Sequence, residues 1–586
     1  MAKWVQRTTD ANIELMAQTL GVHACVATAM ANRGVRSRNQ AANYLCPNEK
    51  NFHEPALFKD IEEAVKIVAD CIEHGVRIAV YGDYDVDGVT GTVILCKILR
   101  ERGADVIYYI PHRELEGYGL NSIAVERLIE KGVGLVVTCD NGVASEVEIA
   151  LLSDAGIKTI VIDHHEPPEA PCGAAAMVNP KQAECEYPFD ALCAGGLAYK
   201  FSKSLYNYYD KENPFEDEFL VFAAIASFCD VVDLQGENRL ITQMGLKLLN
   251  DGRCNNIGLK ALLTVRQLED KEIGAFDIGF IIGPCINATG RLDRADIAVD
   301  LFLTEDEAEA QRLAAKLVLL NDERKALTSN SVELVLEEVV KPEWAEQKVL
   351  VLFKPEIHES IAGIVAGRVK EAVNKPTIII SRGRELAKGS ARSIEGYNIF
   401  DELSKNTDLF ERFGGHAMAA GLSLKEENID ELRRRLNETC SLTEDELVNT
   451  IYFDNYLELS EATFELAQQI TMLKPFGKAN HEPLFVTRGA VAESVDLIGA
   501  TKTTLRFSFA TETPNGKNRW LKGICFGKAA RFIEMMRERY SEAVCANFEK
   551  GLANGLSVVL DIIYSLEINE FNGNTSVQLN VKDFVF

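Results

Sequence analysis

Between residues 77 and 165 the hydrophobic pattern repeats: a short apolar run, a polar or glycine-containing turn, then an amphipathic segment of helix length. The runs are Arg77–Tyr81, Val106–Ile110, Leu135–Thr138 and Thr159–Ile162, and they begin 24–29 residues apart. That spacing is the one β-α-β units produce, and the β-branched content suits strands of a parallel sheet covered on both faces. The pattern therefore predicts a doubly wound α/β domain, with residues 1–76 as mixed helices and loops packed on it. From about 189 to 340 the signal is helical, including Ile297–Leu303 and Asp306–Leu327, the latter read as a long connecting helix.

A second α/β region follows from about 347 to 440, with strand-like Lys348–Leu352 and Pro376–Ile380 flanking helix-like Ile361–Val373. The acidic stretch Lys425–Glu446 reads as solvated helices and a linker. After Pro475-Phe476-Gly477 the period shortens to alternating strands over Thr503–Phe509, Trp520–Phe526, Ser557–Ile563 and Ser576–Val581. Asn515-Gly516 and Asn572-Gly573 supply turn signals, and Ala529–Tyr540 reads as a helix. Five or so strands with one inserted helix suit a small Greek-key barrel of the OB type.

The 586 residues suggest three or four domains. With 47% hydrophobic and 26% charged residues, the chain has ordinary globular composition, which excludes intrinsic disorder. The net charge of −26 excludes a histone-like polycation. Charge is uneven, however: residues 475–586 carry 13 Lys+Arg against 12 Asp+Glu, and Lys502–Arg539 alone carries 9 against 3. A polyanion would meet its basic surface there, with Trp520 and Phe507 as stacking groups or as core residues. No apolar run reaches the roughly 18 residues of a membrane span, and the opening Met-Ala-Lys-Trp-Val-Gln-Arg lacks the apolar stretch of a signal peptide, so a cytoplasmic location is expected. The 14 cysteines include no Cys-x-x-Cys pair and read as reduced thiols.

Candidate chemistry sits at the ends of the first strands. The first ends in Gly82-Asp83-Tyr84-Asp85-Val86-Asp87-Gly88, the third in Cys139-Asp140-Asn141-Gly142 and the fourth in Asp163-His164-His165. Ligands of open parallel sheets bind at the carboxyl ends of strands, so these turns should converge on one crevice, with Asp230 packed nearby. Clustered carboxylates call for a neutralising cation, and oxygen-rich ligands with one or two imidazoles favour Mn²⁺ or Mg²⁺. Such a set can hold two ions roughly 3.5–4 Å apart, the arrangement that activates water for phosphoryl transfer. Solvated loops with capping aspartates are the alternative for each turn alone.

Two further groups have the composition of anion sites. Pro111-His112-Arg113-Glu114 to Tyr118-Gly119 follows the second strand, where Arg113 would bind a phosphate and Tyr118 would stack on a base; the alternative is a surface loop with a core tyrosine. Arg291, in Thr289-Gly290-Arg291-Leu292, suits a phosphate clamp or an ion pair with Asp293 or Asp296. Lys388–Ser393 and Arg412–His416 read as anion-binding loops, joined by His358-Glu359, or else as glycine turns with a capping histidine.

Together, Asp85-Val86-Asp87-Gly88, Asp140-Asn141-Gly142, Asp163-His164-His165 and Asp230 resemble the four motifs of the DHH phosphoesterases. Tyr81–Gly88, Glu116–Leu120, Asn287–Leu292 and Asn321–Arg324 are similar to that superfamily's single-strand-specific 5′→3′ exonuclease branch. The resemblance covers nearly the whole chain. It implies a DHH-type parallel-sheet domain (77–305) following the N-terminal region (1–76), a connecting helix (306–340), a smaller DHHA1-type α/β domain (341–440), a linker (441–474) and a C-terminal OB-fold barrel (475–586).

The resemblance further implies that Asp85, Asp87, Asp140, His164 and Asp230 ligate metal, with Asp140 bridging two ions and Asp83 completing the first ion's shell. His165 would contact the scissile phosphate and Asp163 would orient a histidine. Ser390, Arg392 and His416, with Gly414 and Gly415, would form a pocket for a 5′-terminal phosphate; Arg113, Tyr118, Asn287, Arg291 and His358 would contact the strand. The implied reaction is hydrolysis of single-stranded DNA to 5′-mononucleotides in repair and recombination. Single-strand binding protein and a RecQ-type helicase are implied partners, and the enzyme is expected to be a monomer. Two departures stand out: Cys285 where the family commonly carries arginine, removing one expected strand contact, and Cys229 where a small residue usually precedes the aspartate. Alternatives are action on short oligoribonucleotides or cyclic dinucleotides, or a non-catalytic replication scaffold; the terminal barrel and the complete ligand set argue against them.

Overall fold

The computed structural model describes residues 2–512, 518–550, 556–571 and 573–586. The turn signal Asn515-Gly516, and Asn572 of the other, lie outside the described residues. Contacts divide the chain into two units, Phe52–Asn449 and a second made of Met1–Asn51 with Thr450–Phe586.

The first unit is built on a parallel sheet of Ile78–Tyr81 (β1), Val106–Tyr109 (β2), Leu135–Cys139 (β3), Lys158–Ile162 (β4) and Ala176–Val178 (β5), in the order β2-β1-β3-β4-β5. Every residue of β1 and β3 is buried, because helices cover both faces. Val86–Glu101 (α1) packs on one face and Ser122–Glu130 (α2) on the other; Ala194–Tyr208 (α3) and Glu216–Cys229 (α4) complete the α1 side. The chain runs from β1 to β2 on one side and on to β3 on the other, so the order reverses at β1. That reversal opens a crevice at the carboxyl ends of β1 and β3.

Gly283–Leu292 (α5) follows, then the 33-residue helix Glu307–Val339 (α6), whose N-cap Asp306 accepts from Glu309 N at 2.9 Å. Its apolar side changes allegiance along its length. Leu313, Ala314 and Leu317 enter the first core, whereas Val335 and Val339 enter a second core. That core lies between Glu359–Val373 (α7) and one face of a sheet of Leu350–Phe353 (β6), Thr377–Arg382 (β7), Ala387–Arg392 (β8), Phe410–His416 (β9) and Ala419–Leu424 (β10), ordered β9-β10-β8-β7-β6, while the sheet's other face carries a separate core. Residues 388–393 and 412–416, expected as loops, are therefore largely strand. Gly389 and Ala391 are buried and alternate with part-exposed polar neighbours, a two-residue period hidden by small side chains.

In the second unit Lys3–Gln6 pairs in parallel with Thr450–Phe453. Phe485–Ile498 (β11), Thr504–Glu512 (β12), Asn518–Cys525 (β13), Val558–Phe571 (β14) and Asn574–Val585 (β15) form a closed barrel ordered β11-β12-β13-β15-β14, with β11–β14 pairing shutting the circle. Two helices, Ala529–Arg539 and Glu542–Glu549, stand between β13 and β14 where one was expected. Phe507 is fully buried in the barrel core, while Trp520 is 55% exposed, so only the tryptophan remains available for stacking.

Two expectations change. Residues 1–76 do not pack as one block on the first domain: Val26, Ala29 and Met30 share a core with Phe485 and Phe507 of the barrel, and only the segment from Phe52 belongs with the first unit. The stretch 441–474 is not simply a linker, since it holds Thr450–Phe453, Asn455–Tyr456 and the helix Phe464–Thr471. All 14 cysteines are free. Among the described residues no single helix is long and apolar enough to cross a membrane.

Candidate metal centre and anion pocket

The turn after β1 is shaped by its own carboxylates. Asp85 caps α1, accepting from Asp87 N at 3.0 Å and Gly88 N at 3.1 Å. Position 88 must be glycine, because a Cβ there would lie 2.5 Å from Asp83 N. Asp87 faces the start of α3 and accepts from Ala194 N at 2.8 Å and Gly195 N at 2.7 Å. After β3, Asp140 adopts φ 66°, a left-handed conformation that strains a non-glycine residue, and Thr138 Oγ1 fixes the turn by donating to Asn141 O at 2.7 Å. After β4, Asp163 accepts from Val143 N, His164 N and His165 N, and its Oδ1 lies 2.7 Å from His165 Nδ1. Asp230 is the C-cap of α4.

These elements bring all six expected metal ligands, and His165, together. Three overlapping sets form, Asp83–Asp85–Asp140, Asp87–His164–Asp230 and Asp140–His164–His165, with the donor atoms of each within 4.8 Å of one another. His164 Nε2 lies 3.2 Å from Asp140 Oδ1, 3.7 Å from Asp87 Oδ2 and 3.8 Å from Asp230 Oδ2. Both Asp83 Oδ1 and His164 Nε2 are buried without a hydrogen-bond partner.

The electrostatics agree. Burial, then the neighbouring carboxylates, pushes Asp83 and Asp140 well above the ordinary carboxylate range. Burial and Asp85 raise Asp87 to about 6 despite its backbone donors. Burial, with His165 beside it, lowers His164 to about 4. A neutral imidazole among crowded, desolvated carboxylates makes a coordination set suited to a hard divalent cation. His165 and Asp163 differ from the rest: burial opposes charge on both, yet their mutual hydrogen bond raises the histidine and lowers the aspartate.

On the flank of this centre lies a group of guanidiniums. Arg113 stacks 4.7 Å over the Tyr84 ring. Arg291 donates to Ser360 O at 2.7 Å, while Asp293 pairs with Lys316 and Asp296 with Arg294, each at 2.8 Å, so neither expected ion pair for Arg291 forms. Burial, then Arg113, Arg324 and Arg392, pushes Arg291 down to about 9. Such crowding of like charge is relieved by an anion. Asn287 lies one turn before Arg291 on α5.

Sheet register supplies the rest of the pocket. Ser390, Gly421 and Gly414 align across β8, β10 and β9, and Arg392, Ala419 and His416 form a second row two residues on, facing the same way. Gly363 of α7 leaves them room: a Cβ there would meet Ser390 Oγ at 2.8 Å and Arg392 Nη2 at 2.9 Å. Gly415 occupies the intervening position of β9, at φ 152°. His358 caps α7, with Nδ1 2.7 Å from Ser360 Oγ, and its Nε2 reaches 3.5 Å from Glu114 Oε1 in the loop after β2.

Tyr118 is 53% exposed, not a core residue. Its hydroxyl donates to Asp140 O at 2.8 Å and lies 3.3 Å from His165 Nδ1, tying the loop to the metal centre. Two contributors had no assigned role in the sequence reading. Arg324 joins the guanidinium group from α6, and the backbone amides of Ala194 and Gly195 hold Asp87. Asn321 and Arg324, one helical turn apart, were the available signal: Arg324 Nη2 donates to Asn321 Oδ1 at 2.9 Å, and Asn321 Nδ2 meets Cys285 Sγ at 3.4 Å. Cys285 is thus buried against α6.

Residues 77–227 match the model of the DHH family, N-terminal domain, residues 346–442 that of the DHHA1 domain, and residues 453–583 that of the RecJ OB domain. The single-stranded-DNA-specific exonuclease RecJ of Bacillus subtilis (strain 168) is 35% identical over 99% of this chain and 70% of its own length. That of Salmonella typhimurium is 33% identical over 94% of each. Among solved structures, RecJ from Thermus thermophilus in complex with Mn²⁺ superposes with a TM-score of 0.79 at 26% identity, covering 100% of this chain and 79% of that one.

Proposed function

The chain belongs to the RecJ family of single-stranded-DNA-specific exonucleases, and from that premise we propose that it hydrolyses single-stranded DNA from the 5′ end, releasing 5′-mononucleotides in DNA repair and recombination. The observation that carries this reading is the overlap of three ligand sets through Asp140 and His164 at one crevice. Asp83, Asp85 and Asp140 would hold one Mn²⁺ or Mg²⁺, and Asp87, His164, Asp230 and the shared Asp140 a second. Bound there, the ions supply the Lewis acidity that activates water and stabilises charge on the departing oxygen.

The protein's own groups do the remaining work. His165, kept protonated longer than an ordinary imidazole by Asp163, offers a cationic donor to a non-bridging phosphate oxygen. Tyr118 holds the Asp140 turn and presents its exposed ring for a base. Arg113 and Arg291 take backbone phosphates, with Asn287 beside them on α5 and His358 joining the loop to α7. Ser390, Arg392, Gly414, Gly415 and His416 receive the terminal 5′-phosphate, which fixes the distance from strand end to the scissile bond and makes the enzyme an exonuclease. The closed barrel, with exposed Trp520, would bind single strand by stacking.

We place this activity in the cytoplasm, in a monomer, on strands opened by a RecQ-type helicase and covered by single-strand binding protein; the support is that a strand-specific nuclease needs duplex opened for it. Action on short oligoribonucleotides or cyclic dinucleotides is less favoured, because the barrel provides strand-binding surface that such substrates do not need. The test is Mn²⁺-dependent cleavage of 5′-phosphorylated single strands compared with duplex DNA, cyclic dinucleotides and phosphate monoesters. Equal cleavage of duplex, or preference for dinucleotides, would overturn the proposal.

A further inference from the structure

Beside the metal centre, under edge strand β2, lies a cavity of about 550 Å³, within the roughly 300–1,000 Å³ range of small-molecule sites. Its inner wall includes Arg113 and Gly290. Arg113 also covers the Tyr84 ring at 4.7 Å, and a Cβ on Gly290 would come within 2.6 Å of Tyr84 O. Tyr84 stands between Asp83 and Asp85, so Arg113 and Gly290 link the cavity wall to the segment that carries metal ligands. Its outer rim is apolar and open, with Leu115 and Ile123 55% and 45% exposed.

The charge in the wall is arranged to take an anion. Each lining carboxylate is matched: Glu116 by Arg127 at 2.9 Å, Asp293 by Lys316 and Asp296 by Arg294, both at 2.8 Å. Among the described residues, the lining cations Arg113 and Lys131 pair with no carboxylate within 4 Å. Two unmatched cations beside an exposed apolar rim suit a molecule with a phosphate at one end and a flat base at the other.

We infer that this cavity is the release site for the 5′-mononucleotide product, with the phosphate passing from Arg113 to Lys131 and the base lying on Leu115 and Ile123. The inference rests on the exonuclease reading above. A strand advancing from its 5′ end continues to fill the crevice, so the freed nucleotide needs a way out that the strand does not occupy. Arg113 faces both spaces and serves as the passage between them.

The test uses the full chain and 5′-dAMP as probe, with deoxyadenosine and inorganic phosphate as separate arms. In titrations of the metal-free protein, Lys131→Glu is expected to weaken 5′-dAMP binding about tenfold, and Ile123→Glu to weaken both 5′-dAMP and deoxyadenosine. The titrations are repeated in the Arg392→Ala background, which removes binding at the terminal-phosphate pocket, so that the remaining 5′-dAMP binding reports the cavity. Both cavity residues are exposed, so the variants should fold. With Mn²⁺, Lys131→Glu should slow steady-state turnover more than single-turnover cleavage of a 5′-phosphorylated oligonucleotide. Unchanged 5′-dAMP affinity when Lys131→Glu is added to the Arg392→Ala background would overturn the inference. An inert wild type would refute the exonuclease reading, and the titrations would still decide whether the cavity binds a mononucleotide.

Discussion

Removing the divalent ion should make the stability of the nuclease unit unusually sensitive to pH, and Asp87 gives the scale. Its carboxyl is raised from an ordinary 3.8 to about 6, a shift of roughly two units, or about 3 kcal/mol at 1.36 kcal/mol per unit. Because the folded value lies above the unfolded one, the protonated form is favoured in the fold. The stabilisation is therefore fully present below pH 3.8 and is lost as pH rises through about 6. Asp83 and Asp140 shift in the same direction and add to the loss. A bound divalent ion reverses the preference by pairing with the charged carboxylates.

The assay is denaturant unfolding of EDTA-treated protein at pH 4 and pH 7.5, with Asp87→Asn as reference. Asparagine leaves one backbone amide at the start of α3 poorly matched, so the variant is offset at every pH; the informative quantity is its slope. Wild type should lose about 3 kcal/mol more than the variant across the interval, and saturating Mn²⁺ should abolish most of the difference. Parallel pH profiles for wild type and Asp87→Asn would refute the account of the site as crowded, desolvated carboxylates.

Other consequences concern the reaction. Asp140→Ala should abolish cleavage and lower Mn²⁺ affinity, read by calorimetry, by more than about 100-fold, above the usual effect of losing a supporting hydrogen bond; the metal-free variant should be no less stable than wild type. Arg392→Ala should reduce cleavage of 5′-phosphorylated strands about tenfold or more relative to 5′-hydroxyl strands, the cost of one charged contact, and an equal loss on both would count against the terminal-phosphate pocket. Trp520→Ala should weaken binding of a long single strand by about 1–3 kcal/mol in fluorescence anisotropy while sparing cleavage of a very short substrate.

Legibility in the sequence followed the range of the interactions. The strands of the first sheet are continuous apolar runs because both faces are covered, so β1 to β4 could be read directly, whereas the three-residue β5 carries too little pattern. The metal ligands were legible because they sit at strand ends and their type is unusual in combination. The strands β8 and β9 were not, since Gly389, Gly414 and Gly415 read locally as turns and only the sheet register aligns Arg392 with His416. Nor could the sequence tell that Arg291 would be left unpaired: Asp293 and Asp296 are close in sequence, but Lys316 and Arg294 take them. The allegiance of Lys3–Gln6 to Thr450–Phe453 depends on a partner that no local window contains.

That allegiance makes the nuclease unit an insertion within the barrel unit, which bears on synthesis. Val26, Ala29 and Met30 leave the ribosome well ahead of the barrel residues that bury them, such as Phe485 and Phe507, which follow after more than 450 intervening residues. At roughly 5–20 residues per second the apolar N-terminal helices wait on the order of 20–90 s for their partners, while the intervening nuclease unit can complete its own core. The order of folding is thus inverted relative to the order of translation. A nascent chain arrested before the barrel would carry a folded nuclease unit behind an adhesive N-terminal segment, a natural client for chaperones.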